Sequence, residues 1–196
     1  MTIRNNVAIS LLAGALCTAV YSGTGEARGT QRAKNADEPK NRPLSEPEII
    51  GVTVVVNNGE VAQAILAEKK ARTHIARSFA GLMVGDHDDA NQKMEALAKE
   101  LGITPEDSPL SADMRSAADA VQRKLNQAAH AYFDRVYLES QIDEHQKVLK
   151  AFDERLIPAA KSPRLKSMLG EARTHVAHHL QVAKETLVEL DKEGKE

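Results

Sequence analysis

Seven histidines are distributed along the chain, and five of them, His87, His145, His175, His178 and His179, fall near the middle of long helical segments. Imidazole is a nitrogen ligand for transition metals and also a hydrogen-bonding group that titrates near neutrality. His175 and His179 are four residues apart, which places both near one face of a helix and lets two imidazoles reach a single ion. Glu171 lies one turn earlier on that face, and Glu60 is an acidic counterpart in the first helical segment. Met83, one turn before His87, would add a soft thioether of use to Cu(I). His74 and His130 stand near helix starts and read as surface or capping residues, while Met94, Met114 and Met168 read as packing.

Four long helical segments must position these groups. Aromatics make up 3% of the chain and Trp is absent, so the Ala-, Leu-, Glu-, Lys- and Gln-rich composition favours an all-α fold. The first helix is expected from about Pro47 to Lys70, with Ser45 and Glu48 spaced as a capping box and Ile50, Val54, Val61 and Ile65 near helical period. Its Val52 to Val56 run would pass for a strand in isolation, and Asn58-Gly59 is a turn signal. The continuation Glu60 to Ala67 decides for helix.

A second helix, from about His74 to Leu101, carries Phe79, Met83, Ala90, Met94, Leu97 and Leu101 as an apolar stripe and ends at Gly102. Asp86 and His87 interrupt it. The third, about His130 to Ile157, has a seam of Leu138, Ile142, His145, Leu149, Phe152 and Leu156 at alternating spacings of four and three, and Pro158 is expected to end it. Ser162-Pro163 caps the fourth, whose inward positions are Leu165, Ala172, Val176, His179, Ala183 and Leu190. His178 is offset toward the flank. Between Ile103 and Gln127 a long connection contains a short helical piece near Asp113 to Leu125, enough to cross the height of a bundle.

The segment midpoints fall near Asn58, His87, Asp143 and His178, and mid-helix residues share one level of a bundle whichever way neighbours run. Glu60, His87, His145 and either His175 or His179 are thus expected to converge. The set is imidazole-rich, which suits Cu or Zn better than Ca or Mg. Carboxylate-bridged di-iron chemistry requires Glu-x-x-His on two helices, and that tetrad occurs nowhere in the sequence. The alternative is a buried hydrogen-bond network in which Asp86, His87, Asp134, Tyr137 and His145 satisfy one another and fix helix register; a role for the histidines in binding another ligand or sensing protons is the third.

The first 27 residues read as a secretory signal. Arg4 supplies a positive start, Val7 to Tyr21 an apolar run, and Gly25-Glu26-Ala27 small residues for cleavage. The run is shorter than the roughly 20 residues that span a bilayer. No permanent membrane span is expected after cleavage. The only cysteine is Cys17, within that run; a mature chain starting at Arg28 would carry no thiol for disulfide, metal ligation or catalysis. Lipid attachment at Cys17 is disfavoured by Leu16, where a small residue is usual. Residues 28–46 are polar and Pro-containing and are expected to form a flexible leader, with the domain over 47–192 and a tail at 193–196. Lys and Arg number 26 against 28 Asp and Glu, with neither sign in blocks, which argues against a nucleic-acid partner.

Four strings carry a resemblance: Phe79-Ala80-Gly81-Leu82-Met83-Val84-Gly85-Asp86-His87, Phe133-Asp134-Arg135-Val136-Tyr137-Leu138, His145, and His178-His179-Leu180-Gln181-Val182-Ala183. In these the chain resembles the family called domain of unknown function 4142, over about Pro47 to Leu190. Members are bacterial envelope proteins, often labelled outer membrane proteins, with a ferritin-like four-helix fold. The resemblance implies that fold and an envelope compartment; the long connection with its short helix, read from the residues, falls between the second and third main helices. It implies little about activity. Members commonly carry proline a few residues before the last His-Leu pair, where this chain has Thr174.

Two functions follow as expectations. One is a periplasmic protein that binds Cu or Zn through His87, His145 and His179, with His175 and Glu60 added. The other is a non-enzymatic envelope protein that engages a protein partner, in stress or cell-surface maintenance, and whose polar layer is structural. No nucleophile turn, phosphate loop or paired catalytic carboxylates argue for an enzyme. If the histidines are buried and neutral, acidification below about pH 6 is expected to loosen the fold or release metal.

Overall fold

The apolar spacing folds as helix throughout. In the computed structural model, which describes residues 42–193, no strand occurs among the described residues. The helices are α1 (Glu46–Lys70), α2 (His74–Leu101), α3 (Pro109–Gln127), α4 (Phe133–Ala151) and α5 (Pro163–Glu193). The expected signal segment, Cys17 and all but the last residues of the polar leader lie outside the described residues.

The caps explain the boundaries. Ser45 N–H and Oγ both donate to Glu48 Oε2, at 2.8 and 2.9 Å, closing the first turn of α1. α2 ends at Gly102, whose φ of 67° is left-handed, a conformation costly for any residue with a Cβ. Asp134, at the start of α4, accepts from Arg72 N–H at 2.9 Å and from Thr73 N–H and Oγ1 at 2.8 Å. One carboxylate thus holds the α1–α2 corner, which has neither Gly nor Pro.

Two expectations change. The crossing helix begins at Pro109, four residues before the expected Asp113: Ser108 accepts from Ser111 N–H at 3.0 Å, and Ser111 Oγ accepts from Ser108 N–H at 2.8 Å. Pro158 does not end the third helix. A 3-10 turn (His130–Tyr132) leads into α4, and a π-turn (Phe152–Leu156) and one α-turn (Ile157–Ala159) extend it. Ile157 N–H reaches back five residues to the Phe152 carbonyl. In a regular turn the Pro158 ring would clash with the carbonyl four residues earlier, and the widened turn lies where that clash would arise. α5 runs unbroken through Thr174, whose hydroxyl donates to the Gly170 carbonyl at 3.0 Å.

α1 packs against both α2 and α3, and α5 against α4 and α2. Two glycines set the approach to α1. A Cβ on Gly51 would overlap the Glu106 carbonyl of the loop before α3, and one on Gly59 would lie 2.8 Å from Ala118 Cβ of α3. Covered on several sides, α1 is apolar nearly all round; it is long and apolar enough to cross a membrane by length and composition, with 50% of the qualifying window buried inside the protein.

One row of buried residues in α2, flanked by Phe79 and Ala98, runs Ala76, Ala80, Met83, His87, then Met94 and Leu97, and the buried residues of α5 run Leu165, Leu169, Val176, His179, Ala183 and Thr186. This is the alternation of four and three that keeps one seam facing inward. The core falls into two apolar clusters. One gathers Ile49, Ile50, Met94, Phe152, Leu165 and Val176; the other gathers Ala64, Phe79, Met83, Leu125, Tyr137 and Ala183. Between them along the helices come the buried polar residues Asn57, Glu60, Gln63, His87, Gln141, Glu144, His145 and His179.

Candidate functional site

α2, α4 and α5 each carry one histidine into this polar layer. His87, His145 and His179 are 4%, 1% and 1% exposed. Their ring centroids are 5.2 Å apart for His87 and His179, 5.6 Å for His145 and His179, and 6.1 Å for His87 and His145. One ring nitrogen of each lies within 4.8 Å of the others. A tetrahedral ion with bonds of about 2.0–2.1 Å holds its nitrogens roughly 3.3 Å apart, so the widest of these separations would have to close by up to about 1.5 Å on binding.

Each ring has its other nitrogen engaged. His145 Nδ1 donates to the Gln141 carbonyl at 2.9 Å, an oxygen that can only accept. His179 Nε2 donates to the Asp86 carboxylate at 2.8 Å. His87 Nδ1 donates to Asn57 Oδ1 at 3.0 Å; Asn57 Nδ2 donates to Asn91 Oδ1, and Asn91 Nδ2 to Asn58 Oδ1, both at 3.0 Å. The asparagine relay turns the Asn57 oxygen toward the ring. A neutral imidazole has one N–H, so the opposite nitrogens, His87 Nε2, His145 Nε2 and His179 Nδ1, present lone pairs. These three atoms are buried without a protein hydrogen-bond partner.

Burial also keeps the rings neutral. Desolvation lowers the pKa of His87 to about 3, with His145, His179 and His175 adding repulsion. It lowers His145 to about 4, partly offset by the Gln141 carbonyl. His179 is lowered by burial against the opposing pull of Asp86. Neutral imidazole is the form that ligates a metal, and the hydrogen bond behind each ring is the outer-shell partner that fixes a ligand's tautomer and orientation.

The structure places the other sequence candidates differently. Glu60 is buried beside this group, its Oε1 3.9 Å from His145 Nδ1, the nitrogen already committed to Gln141. It joins the layer from the Nδ1 side of His145. His175 is exposed, its ring 6.5 Å from that of His179, and it lines the mouth of a cavity. His178, His74 and His130 are exposed. Met83 is buried in the Phe79–Tyr137 cluster.

The expected mutual network of Asp86, His87, Asp134, Tyr137 and His145 does not form, since His87 bonds to Asn57 and His145 to the Gln141 carbonyl. Asp86 serves His179, Asp134 serves the α1–α2 corner, and the buried Tyr137 hydroxyl has no protein partner. Sequence reasoning missed Asn57, Gln63, Gln141 and Glu144. Gln141 Nε2 donates to Gln63 Oε1 at 2.8 Å, and Gln63 Nε2 to Glu144 Oε1 at 3.3 Å. Burial raises Glu60 to about 7, and burial with repulsion from Glu60 raises Glu144 to about 8. The sign available in sequence was a polar residue on the inner face of α1 at Asn57 and Glu60, three apart.

The family described as Domain of unknown function (DUF4142) matches residues 30–186, most of the chain and all three histidines. The chain belongs to the DUF4142 family. No curated protein and no solved structure matched this DUF4142 chain.

Proposed function

We propose that this DUF4142 chain is an exported, periplasmic protein with a ferritin-like four-helix bundle that binds one transition-metal ion, Cu or Zn, through His87 Nε2, His145 Nε2 and His179 Nδ1. The observation that carries the reading is that three buried rings bring one nitrogen each within 4.8 Å of one another, and that each ring has one nitrogen held as a donor and the other buried without a protein partner. Each unpaired buried group costs roughly 1–3 kcal/mol, and one ion bound among the three nitrogens would satisfy all three. Three nitrogens from three helices suit Zn or Cu, and three protein ligands leave a position open, unlike the closed four-ligand arrangement of structural zinc. Glu60 and His175 lie beside the three-nitrogen set and are not part of it. Compartment rests on the signal-like first 27 residues, and the bundle assignment on the polar layer lying at one level of the long helices.

Calorimetric titration of the tag-free protein with Cu, Zn, Ni and Fe tests the reading. Stoichiometric binding that is lost in His87→Ala and His145→Ala, with helical circular dichroism retained, is expected. Absence of binding above background, or unchanged affinity in His145→Ala, would return the histidines to a structural role and leave the surface, through an envelope partner, as the seat of function.

A further inference from the structure

A cavity of about 90 Å³ lies between α1, α2, the π-turn and α5. Its buried lining is mostly apolar, with Val52, Met94, Phe152, Leu156 and Val176. Its exposed lining is charged. Asp89, Lys93 and Glu171 stand there with His175, and half-buried Asp86 adds a third carboxylate. Three carboxylates face one ammonium, so two negative charges remain over. Lys93 pairs with Asp89 at 2.6 Å. Asp86 accepts from neutral His179, which cancels none of its charge. Glu171 forms no ion pair among the described residues, and Arg173, two residues beyond it, is engaged with both oxygens of Asp153. The α1 polar groups in the wall are already paired: Thr53 Oγ1 donates to the Ile49 carbonyl at 2.9 Å, and Asn57 is held between His87 and Asn91.

We propose that this cavity takes a short primary alkylammonium ion, its tail against the apolar wall and its head among Asp86, Asp89 and Glu171. The inference goes beyond the metal reading and does not depend on it. Charge selects the head. A carboxylate would meet a lining that is already net negative, and an uncharged group would gain nothing from it, whereas an ammonium is attracted and has three N–H groups for the carboxylate oxygens. The apolar wall selects the tail. A 150 Å³ apolar cavity accepts benzene, so by proportion this one has room for roughly four carbons. Because the carboxylates are partly or fully exposed, water screens them. The tail therefore supplies most of the affinity and the head supplies the choice between ligands.

The test is an NMR titration of the isotope-labelled protein, as purified and again in chelator, with ethylamine, butylamine, hexylamine, butanol and butyrate at neutral pH. Butylammonium is expected to bind about tenfold more tightly than ethylammonium, from two more buried methylenes, with little gain at hexyl. It should bind about fivefold more tightly than butanol, and butyrate should be weakest. Glu171→Gln should narrow the gap between butylamine and butanol while leaving butanol unchanged. Ala172→Leu and Ala90→Leu, two lining positions on different helices, should each weaken both ligands with the fold retained. Butyrate binding as tightly as butylamine, affinity indifferent to chain length, or binding unchanged in both Leu variants overturns the proposal. So does amine binding that disappears in chelator, since the amine would then sit on a metal ion. None of these results bears on the three-histidine site, and failure of that site to bind metal leaves this cavity's ligand untouched.

Discussion

At His87, His145 and His179 the chemistry depends as much on the three acceptors behind the rings as on the rings. Removing an acceptor frees a ring to rotate and exchange tautomers, which typically weakens metal binding 10–100-fold. Asn57→Ala and Asp86→Ala are therefore expected to lower affinity by that factor with the fold retained, while His175→Ala changes it little; competition with a chromophoric chelator measures all three. Because burial holds His87 and His145 at about 3 and 4, protons compete for them only well below pH 5. Metal should stay bound at pH 5.5, where histidines of ordinary pKa are mostly protonated, and leave nearer pH 4 than the pH 6 expected from sequence; equilibrium dialysis across this range decides. His87, His145 and His179 were legible because each occupies a seam position. His175 was not separable from His179, since four residues advance a helix by only about 40° beyond a full turn. The Gln141 acceptor is a backbone carbonyl and leaves no mark in a sequence.

Among the elements, the junctions determine where the histidine-bearing helices meet. Asp134 spends its carboxylate on three donors at the α1–α2 corner, and Asp134→Ala strands two backbone N–H groups there. A loss of about 2–3 kcal/mol is expected, with Asp134→Asn retaining part of it. Gly51→Ala drives a Cβ into the backbone of the Glu106 loop and should cost about 1–3 kcal/mol; urea unfolding measures both. α2 was legible to the residue, because Thr73 and Gly102 bracket an apolar stripe that resumes beyond Asp86 and His87. The start of α3 carried the same Ser-Pro sign as α5 but follows a polar loop, so the apolar period alone placed it late. The π-turn escaped notice because its extra residue leaves Phe152 and Leu156 four apart, as in any seam. Pro158 was its only sign, and proline reads first as a helix stop.

For the whole molecule, the polar layer opposes two sets of titrations. His87 and His145 have folded pKa values of about 3 and 4 against 6.5 unfolded. Their contribution is full above pH 6.5 and is lost as pH falls, at about 1.4 kcal/mol per pH unit for each. Glu60 and Glu144 are raised from 4.5 to about 7 and 8. Theirs is full below pH 4.5 and is lost as pH rises, at the same rate for each. Between pH 4.5 and 6.5 the four slopes nearly cancel, and His179, also lowered, tilts the balance slightly upward with pH. Metal-free protein should therefore show a stability plateau there, fall on the acid side, and lose about 3 kcal/mol between pH 6.5 and 8. Urea unfolding in chelator at half-unit steps resolves the profile. Glu60→Gln with Glu144→Gln should abolish the alkaline loss and leave the acid one. A wild-type stability that stays level or rises from pH 6.5 to 8 would mean that these two carboxyls ionise freely in the folded protein, and that the layer is wetter than its burial implies.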